Sequence, residues 1–131
     1  MRIPPRAVAL VDDDPLLLRA LERVLLACGY RVQSFTSAEQ YLREVNAGEI
    51  SCVVIDINLG VGRLSGLDLG DIISQSLHAT PIVFMTGSDE LALCERARDI
   101  GCFEFLKKPF PTSKLVATLV RLEGLSSITA S

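Results

Sequence analysis

From residue 8 onward the chain alternates short apolar runs with amphipathic stretches five times over, and that rhythm limits the fold more than any other feature. Val8 to Val11 is an all-apolar strand. Asp14 followed by Pro15 is a helix start, because a carboxylate caps free N–H groups and proline suits the first helical position. That helix runs to about Cys28, where Gly29 supplies a left-handed stop. "YRVQSF" alternates as a second strand, and "TSAEQYLREVNAG" follows as a helix, with Thr36 and Glu39 spaced as a capping box and Gly48 as its end. "SCVVID" is a third strand, apolar enough throughout to be covered on both faces. "LDLGDIISQSL", "PIVFM", "DELALCERARDI", "CFEFL" and "PTSKLVATLVRLEG" continue the series as helix, strand, helix, strand and helix.

Five such units predict an α/β fold, a parallel sheet wound on both faces by helices. Right-handed crossovers leave few arrangements, and at this length the expected one is flavodoxin-like, a doubly wound (βα)5 sheet of strand order 2-1-3-4-5. The 131 residues, 49% of them hydrophobic, suit one packed core, with a domain over 1–123 and a polar tail or linker stub, "GLSSITAS", over 124–131. A net charge of −3 and the lack of any Lys/Arg cluster argue against direct binding to nucleic acid. No apolar run nears the roughly 18 residues of a membrane span, and "MRIPPR" has no signal-peptide core, so a cytoplasmic location is expected. Cys28, Cys52, Cys94 and Cys102 lack metal or redox spacing and read as small apolar packing residues.

The expected strand order makes a chemical prediction. Ligands bind where the order reverses, beside the carboxyl ends of strands 1 and 3. Those ends carry Asp12, Asp13 and Asp14, and Asp56. Converging carboxylates cannot all stay ionised without a cation, and an all-oxygen set suits a hard ion such as Mg²⁺. With Asp14 committed to capping, Asp12, Asp13, Asp56 and a backbone carbonyl after Asp56 form a partial shell completed by water. Strand 4 ends in the hydroxyl of Thr86 and strand 5 in the ammonium of Lys108, ahead of Pro109. A carboxylate, a metal site, a hydroxyl and a lysine about one point are the components of phosphoryl transfer.

On "VDDDP", "VVIDINL", "SGLDL", "PIVFMTG" and "GCFEFLKKPF", in this order, the sequence resembles the receiver domain of two-component response regulators from about Ala7 to Leu122. The resemblance implies a phosphorylatable signalling switch rather than an enzyme, one that assists its own phosphorylation and dephosphorylation. Asp56 would take the phosphoryl group from a histidine kinase or a phosphotransfer protein of a phosphorelay. Asp13 and Asp56 would be direct Mg²⁺ ligands, Asp12 would act through water, and Asn58 would offer its backbone carbonyl. Thr86 and Lys108 would bind the phosphoryl group, with the bond to Pro109 cis. Thr86 and Phe105 would be the switch pair that remodels the face made by helix 4, strand 5 and helix 5 for an effector domain or downstream protein. Whether the domain dimerises on phosphorylation is left open.

One departure from the family is visible. Leu59 leads into Gly60 instead of proline, and Gly66 lies ten positions past Asp56 where the family has about eight, so "LGVGRLSG" is expected to be more mobile than the usual loop. Gly60, Gly62 and Gly66 do not have dinucleotide-fingerprint spacing. Two other functions compete. A receiver-like binding module would work without phosphorylation, and an aspartate-nucleophile phosphatase of the haloacid dehalogenase type would use Asp12-x-Asp14, although Pro15 and Leu16 do not suit that motif. On helix 1, the stripe Leu17, Ala20, Leu21, Val24 and Leu25 is expected to face the sheet, leaving Leu16 and Leu26 as an apolar patch for a kinase.

Overall fold

The computed structural model describes residues 7–60, 62–77 and 79–130, with side chains through residue 125. The N-terminal hexapeptide read above for a signal lies outside those residues. Five strands, β1 (Ala7–Val11), β2 (Arg31–Phe35), β3 (Ile50–Asp56), β4 (Ile82–Thr86) and β5 (Glu104–Lys107), alternate with five helices. These are α1 (Pro15–Ala27), α2 (Ala38–Glu44), α3 (Gly66–Ser74), α4 (Leu91–Ile100) and α5 (Thr112–Ala130). All strand pairs are parallel and the order is β2-β1-β3-β4-β5, the doubly wound arrangement expected from the alternation.

Strand periodicity divides the core into two layers. Ala7, Ala9, Val11, Val53, Ile55 and Phe84 face α2, α3 and α4, where they meet Tyr41, Leu67, Ile73 and Ala97. Val8, Leu10, Val54, Val83, Met85 and Leu106 face the opposite way, onto Leu21 and Leu25 of α1 and Leu115 and Leu119 of α5. Every residue of β1 and β4 is buried, as the central strands of a sheet covered on both sides must be.

Helix ends mostly follow their local chemistry. The Asp14 side chain accepts from the N–H groups of Leu16 and Leu17, Pro15 opens α1, and Gly29 takes φ +91° just past its end. The cap of α2 lies one residue beyond the expected Thr36/Glu39 box. Ser37 Oγ accepts from the Gln40 N–H at 3.0 Å, and Gln40 Oε1 accepts from the Thr36 N–H at 2.8 Å. This register buries Ala38 and Tyr41 and leaves Glu39 free for another role. The helix stops at Glu44, four residues before Gly48, where Val45 turns extended and packs against the core; a 3-10 turn over Ala47–Glu49 then leads into β3.

On α1 the seated residues are Leu18, Leu21 and Leu25, with Leu17 and Val24 half-buried and Ala20 exposed, so the stripe is rotated from the one expected. Leu16 and Leu26 are 73% and 58% exposed. Only Cys52 packs fully as a core cysteine, its thiol pushed up to about 12 by burial, whereas Cys94 and Cys102 are half-buried and Cys28 is exposed at the end of α1. α5 continues past Gly124, where the apolar pattern had ended it, because a glycine inside a helix costs only about 1 kcal/mol. Among the described residues no helix is long and apolar enough to cross a membrane.

Candidate functional site

The carboxyl edge of the sheet brings four strand ends together. Asp12 directly follows β1 and keeps the ladder going by donating its N–H to Phe35 O at 3.1 Å, which holds its side chain in the interior. Asp56 and Thr86 are the last residues of β3 and β4. Lys108 follows β5 and donates its N–H to Thr86 O at 2.7 Å; its peptide bond to Pro109 is cis. Lys108 Nζ then donates to Asp12 Oδ2 at 2.8 Å and to Asp56 Oδ2 at 3.0 Å, joining residues brought from three separate strand ends.

The other carboxylate oxygens are held by backbone. Asp14 N–H donates to Asp12 Oδ1 at 2.8 Å, Asn58 N–H to Asp56 Oδ1 at 3.0 Å, and Gly60 N–H to Asp13 Oδ2 at 2.9 Å. Thr86 Oγ1 accepts from the Ser88 N–H at 3.0 Å and from Asn58 Nδ2 at 3.4 Å. Asp14 spends its carboxylate on α1, so Asp12 and Asp14 do not form the acidic pair of the phosphatase arrangement. Phe105 lies half-buried on β5, in register with Phe84, with the apolar layer of α3 and α4 beneath it.

Electrostatics sets what the pocket accepts. Burial is the main influence raising the Asp56 pKa; the Asn58 N–H and Lys108 pull it down, Asp12 pushes it up, and the balance stays above the usual aspartate value. For Lys108, burial disfavours the charged form, but hydrogen bonds to Asp12 and Asp56 more than offset it and the pKa rises. Three carboxylates thus cluster here, and the Lys108 ammonium pairs with two of them, Asp12 and Asp56. One oxygen from each of Asp12, Asp13 and Asp56 lies within 4.8 Å of the others, comparable to the roughly 4–5 Å across an octahedral Mg²⁺ or a Ca²⁺ shell. All-oxygen donors with excess negative charge fit a hard divalent cation, and such a cation would supply neutralisation that one ammonium does not.

Some contacts had no sequence signal. The Gly60 and Ser88 N–H groups act through backbone, which residue identity does not announce. The glycine-rich loop, expected from its composition to be mobile, is hydrogen-bonded from outside at several of its described residues. Beyond Gly60, Arg63 and Leu64 donate their N–H groups to Glu39 of α2, and Ser65 donates to Asp68 in the capping box of α3. Gly66 closes the loop by donating to Ile57 O at 3.0 Å, an approach that only a residue without Cβ can make.

Comparison with known proteins agrees with this geometry. Residues 8–120 match the model of the response regulator receiver domain. Among curated proteins the chain is similar to Nodulation protein W of Bradyrhizobium diazoefficiens, 33% identical over 86% of this chain and 49% of that protein. It is also similar to Response regulator protein TodT of Pseudomonas putida, 28% identical over 86% of this chain and 48% of that one. The chain therefore spans about half the length of these relatives. In fold it superposes on a CheY-like receiver domain from Methanospirillum hungatei with a TM-score of 0.85 at 19% identity, covering 94% of this chain and 98% of that one. It superposes equally well on NtrX from Brucella abortus, TM-score 0.86 at 25% identity, covering 96% of this chain and 29% of NtrX. Sheet order, clustered acids and family match converge: this chain belongs to the receiver domains of two-component response regulators, signalling modules rather than enzymes in the ordinary sense.

Proposed function

We propose that the domain is switched by phosphorylation of Asp56, with a phosphohistidine on a histidine kinase or phosphotransfer protein as donor and Mg²⁺ as the cation. The observation that carries this reading is Lys108 Nζ reaching both Asp12 and Asp56 at the lip of the sheet, with Thr86 on the neighbouring strand end. Asp12, Asp13, Asp56 and the Asn58 carbonyl are the groups that would hold Mg²⁺, which supplies charge neutralisation for the incoming phosphoryl oxygens.

Every component of the transfer other than the donor and cation lies in this chain. An Asp56 carboxylate oxygen attacks phosphorus as the P–N bond breaks; the electron pair leaves with the donor imidazole, which takes up a proton. The Asn58 N–H on Oδ1 and Lys108 Nζ on Oδ2 fix the Asp56 carboxylate in place for that attack. Lys108 follows the negative charge onto the phosphoryl oxygens, and Thr86 Oγ1 offers its proton to one of them. Movement of Thr86 opens space for Phe105, and the change passes to α4, β5 and α5. α4 suits that role because Ala97 is its one fully buried residue, which leaves it weakly seated. An effector domain or downstream protein, or a second copy of the domain, would read the altered face. The exposed Leu16 and Leu26 of α1 would supply part of the kinase contact.

The test is incubation with acetyl phosphate and Mg²⁺, followed by intact mass and lability of the adduct to hydroxylamine. One phosphoryl group should add to the wild type, none to Asp56→Asn, and none to the wild type in EDTA. Retention of the adduct in Asp56→Asn would remove Asp56 from the role, and a metal-independent adduct would remove the cation.

A further inference from the structure

The glycine-rich loop between β3 and α3 is secured by a side chain from a different part of the fold. Glu39, on α2, accepts at Oε2 from the backbone N–H groups of Arg63 at 2.7 Å and Leu64 at 3.1 Å. Gly62 sits against the same carboxylate, so closely that a Cβ there would lie 2.4 Å from Glu39 Oε1, and its φ of +85° is one that other residues rarely adopt. Loop and carboxylate therefore fit along consecutive residues. Those backbone hydrogen bonds also hold the Glu39 carboxyl below the usual glutamate range, the Arg63 N–H most of all.

The same loop ends in the acidic pocket. Asn58 donates its N–H to Asp56 Oδ1, and Gly60 donates its N–H to Asp13 Oδ2. Two of the three clustered acids are thus oriented by loop backbone, and the other half of that loop hangs on Glu39. A loop that carries Gly60 and Gly62 and no proline must be restrained from outside if its backbone is to stay put. Two charge-assisted hydrogen bonds to one carboxylate provide that restraint.

We infer that Glu39 is a positioning residue for the phosphoryl and cation site, holding the long loop so that the Asn58 and Gly60 backbone stays registered on Asp56 and Asp13. This rests on the function proposed above. Glu39 touches neither cation nor phosphoryl group; it acts through Arg63, Leu64 and the intervening glycines. Groups that directly orient metal ligands change metal affinity about 10–100-fold when removed, and Glu39, one step farther out, should change it about three- to tenfold.

The experiment is a Mg²⁺ titration of the whole chain followed by backbone amide NMR, with hydrogen exchange measured at Arg63 and Leu64. Glu39→Ala should exchange faster at those two amides and bind Mg²⁺ about three- to tenfold more weakly. Glu39→Gln keeps an acceptor oxygen and should recover most of both properties, which general destabilisation of α2 would not reproduce. Gly62→Ala should also loosen the loop, and its effect should shrink in the Glu39→Ala background, where the colliding carboxylate is gone. Unchanged exchange in Glu39→Ala overturns the tie, and faster exchange with unchanged Mg²⁺ affinity overturns the positioning role. A wild type that binds no Mg²⁺ refutes the proposed function itself, and the positioning role with it.

Discussion

Gly66 and Gly124 are both helical glycines, and alanine should act on them with opposite signs. At Gly66 a Cβ would lie 2.0 Å from the carbonyl oxygen of Asp56 and 2.8 Å from the Ile57 Cα. Neither neighbour can rotate aside, because both are backbone at the strand end that carries Asp56. Relief needs a shift of about 1 Å, and overpacking of this kind costs about 1–3 kcal/mol. Losing the 3.0 Å hydrogen bond from Gly66 to Ile57 adds about 1 kcal/mol. Better helix propensity returns at most about 1 kcal/mol, so Gly66→Ala should be destabilised by about 2–3 kcal/mol. At Gly124 nothing lies within 4 Å of an added Cβ, and Gly124→Ala should gain about 0.5–1 kcal/mol. Urea unfolding followed by far-UV circular dichroism suits a chain with no tryptophan. At typical urea slopes the Gly66→Ala midpoint should fall by about 1–2 M while that of Gly124→Ala rises slightly. A Gly66→Ala midpoint equal to wild type would refute the close approach of α3 to the end of β3.

Two further outcomes follow from charge. Lys108→Ala strands the buried Asp12 and Asp56 carboxylates beside each other, and in EDTA at neutral pH it should lose about 2–4 kcal/mol of stability, much of it restored by saturating Mg²⁺; a loss that Mg²⁺ does not repair would contradict the charge account. Asp68 is held below the usual aspartate range by the Ser65 N–H first and by Arg96 second. A depressed folded pKa contributes stability above the unfolded value that disappears as pH falls through the folded one. Asp68→Asn should therefore be less stable than wild type at pH 7, by about 1 kcal/mol or less at this half-exposed site, and the gap should close as pH drops below about 4. A gap that persists in acid would show that the charge is not what matters.

The acidic pocket was legible because its parts sit at strand ends, and a strand end is marked locally by the point where an apolar run stops. Asp12, Asp56 and Thr86 each occupy such a point, and Lys108 lies one residue farther on, two past Leu106. The α2 cap was misplaced because Thr36 and Ser37 are both good caps. Sequence spacing could not choose between them, whereas burial of Ala38 and Tyr41 does. The same choice hid Glu39, which as a member of a capping box would have been satisfied within its own helix. Leu18 replaced Ala20 in the α1 stripe for a related reason. A helix that is apolar over much of its circumference has several plausible faces, and the sheet selects one.

What the sequence determined by itself was therefore periodic and local: five strands and helices, their parallel winding, the cap at Asp14 and the chemistry waiting at each strand end. What only the tertiary structure decided was which distant groups meet. Lys108 and Asp12 are 96 positions apart, Lys108 and Asp56 are 52, and Arg63 and Glu39 are 24. Helix and strand periodicities relate residues only a few positions apart, while these contacts depend on how whole elements are stacked and turned. The loop after Asp56 shows the difference most plainly, since glycine content describes the freedom of an isolated segment and says nothing of the carboxylate that another helix brings to its backbone.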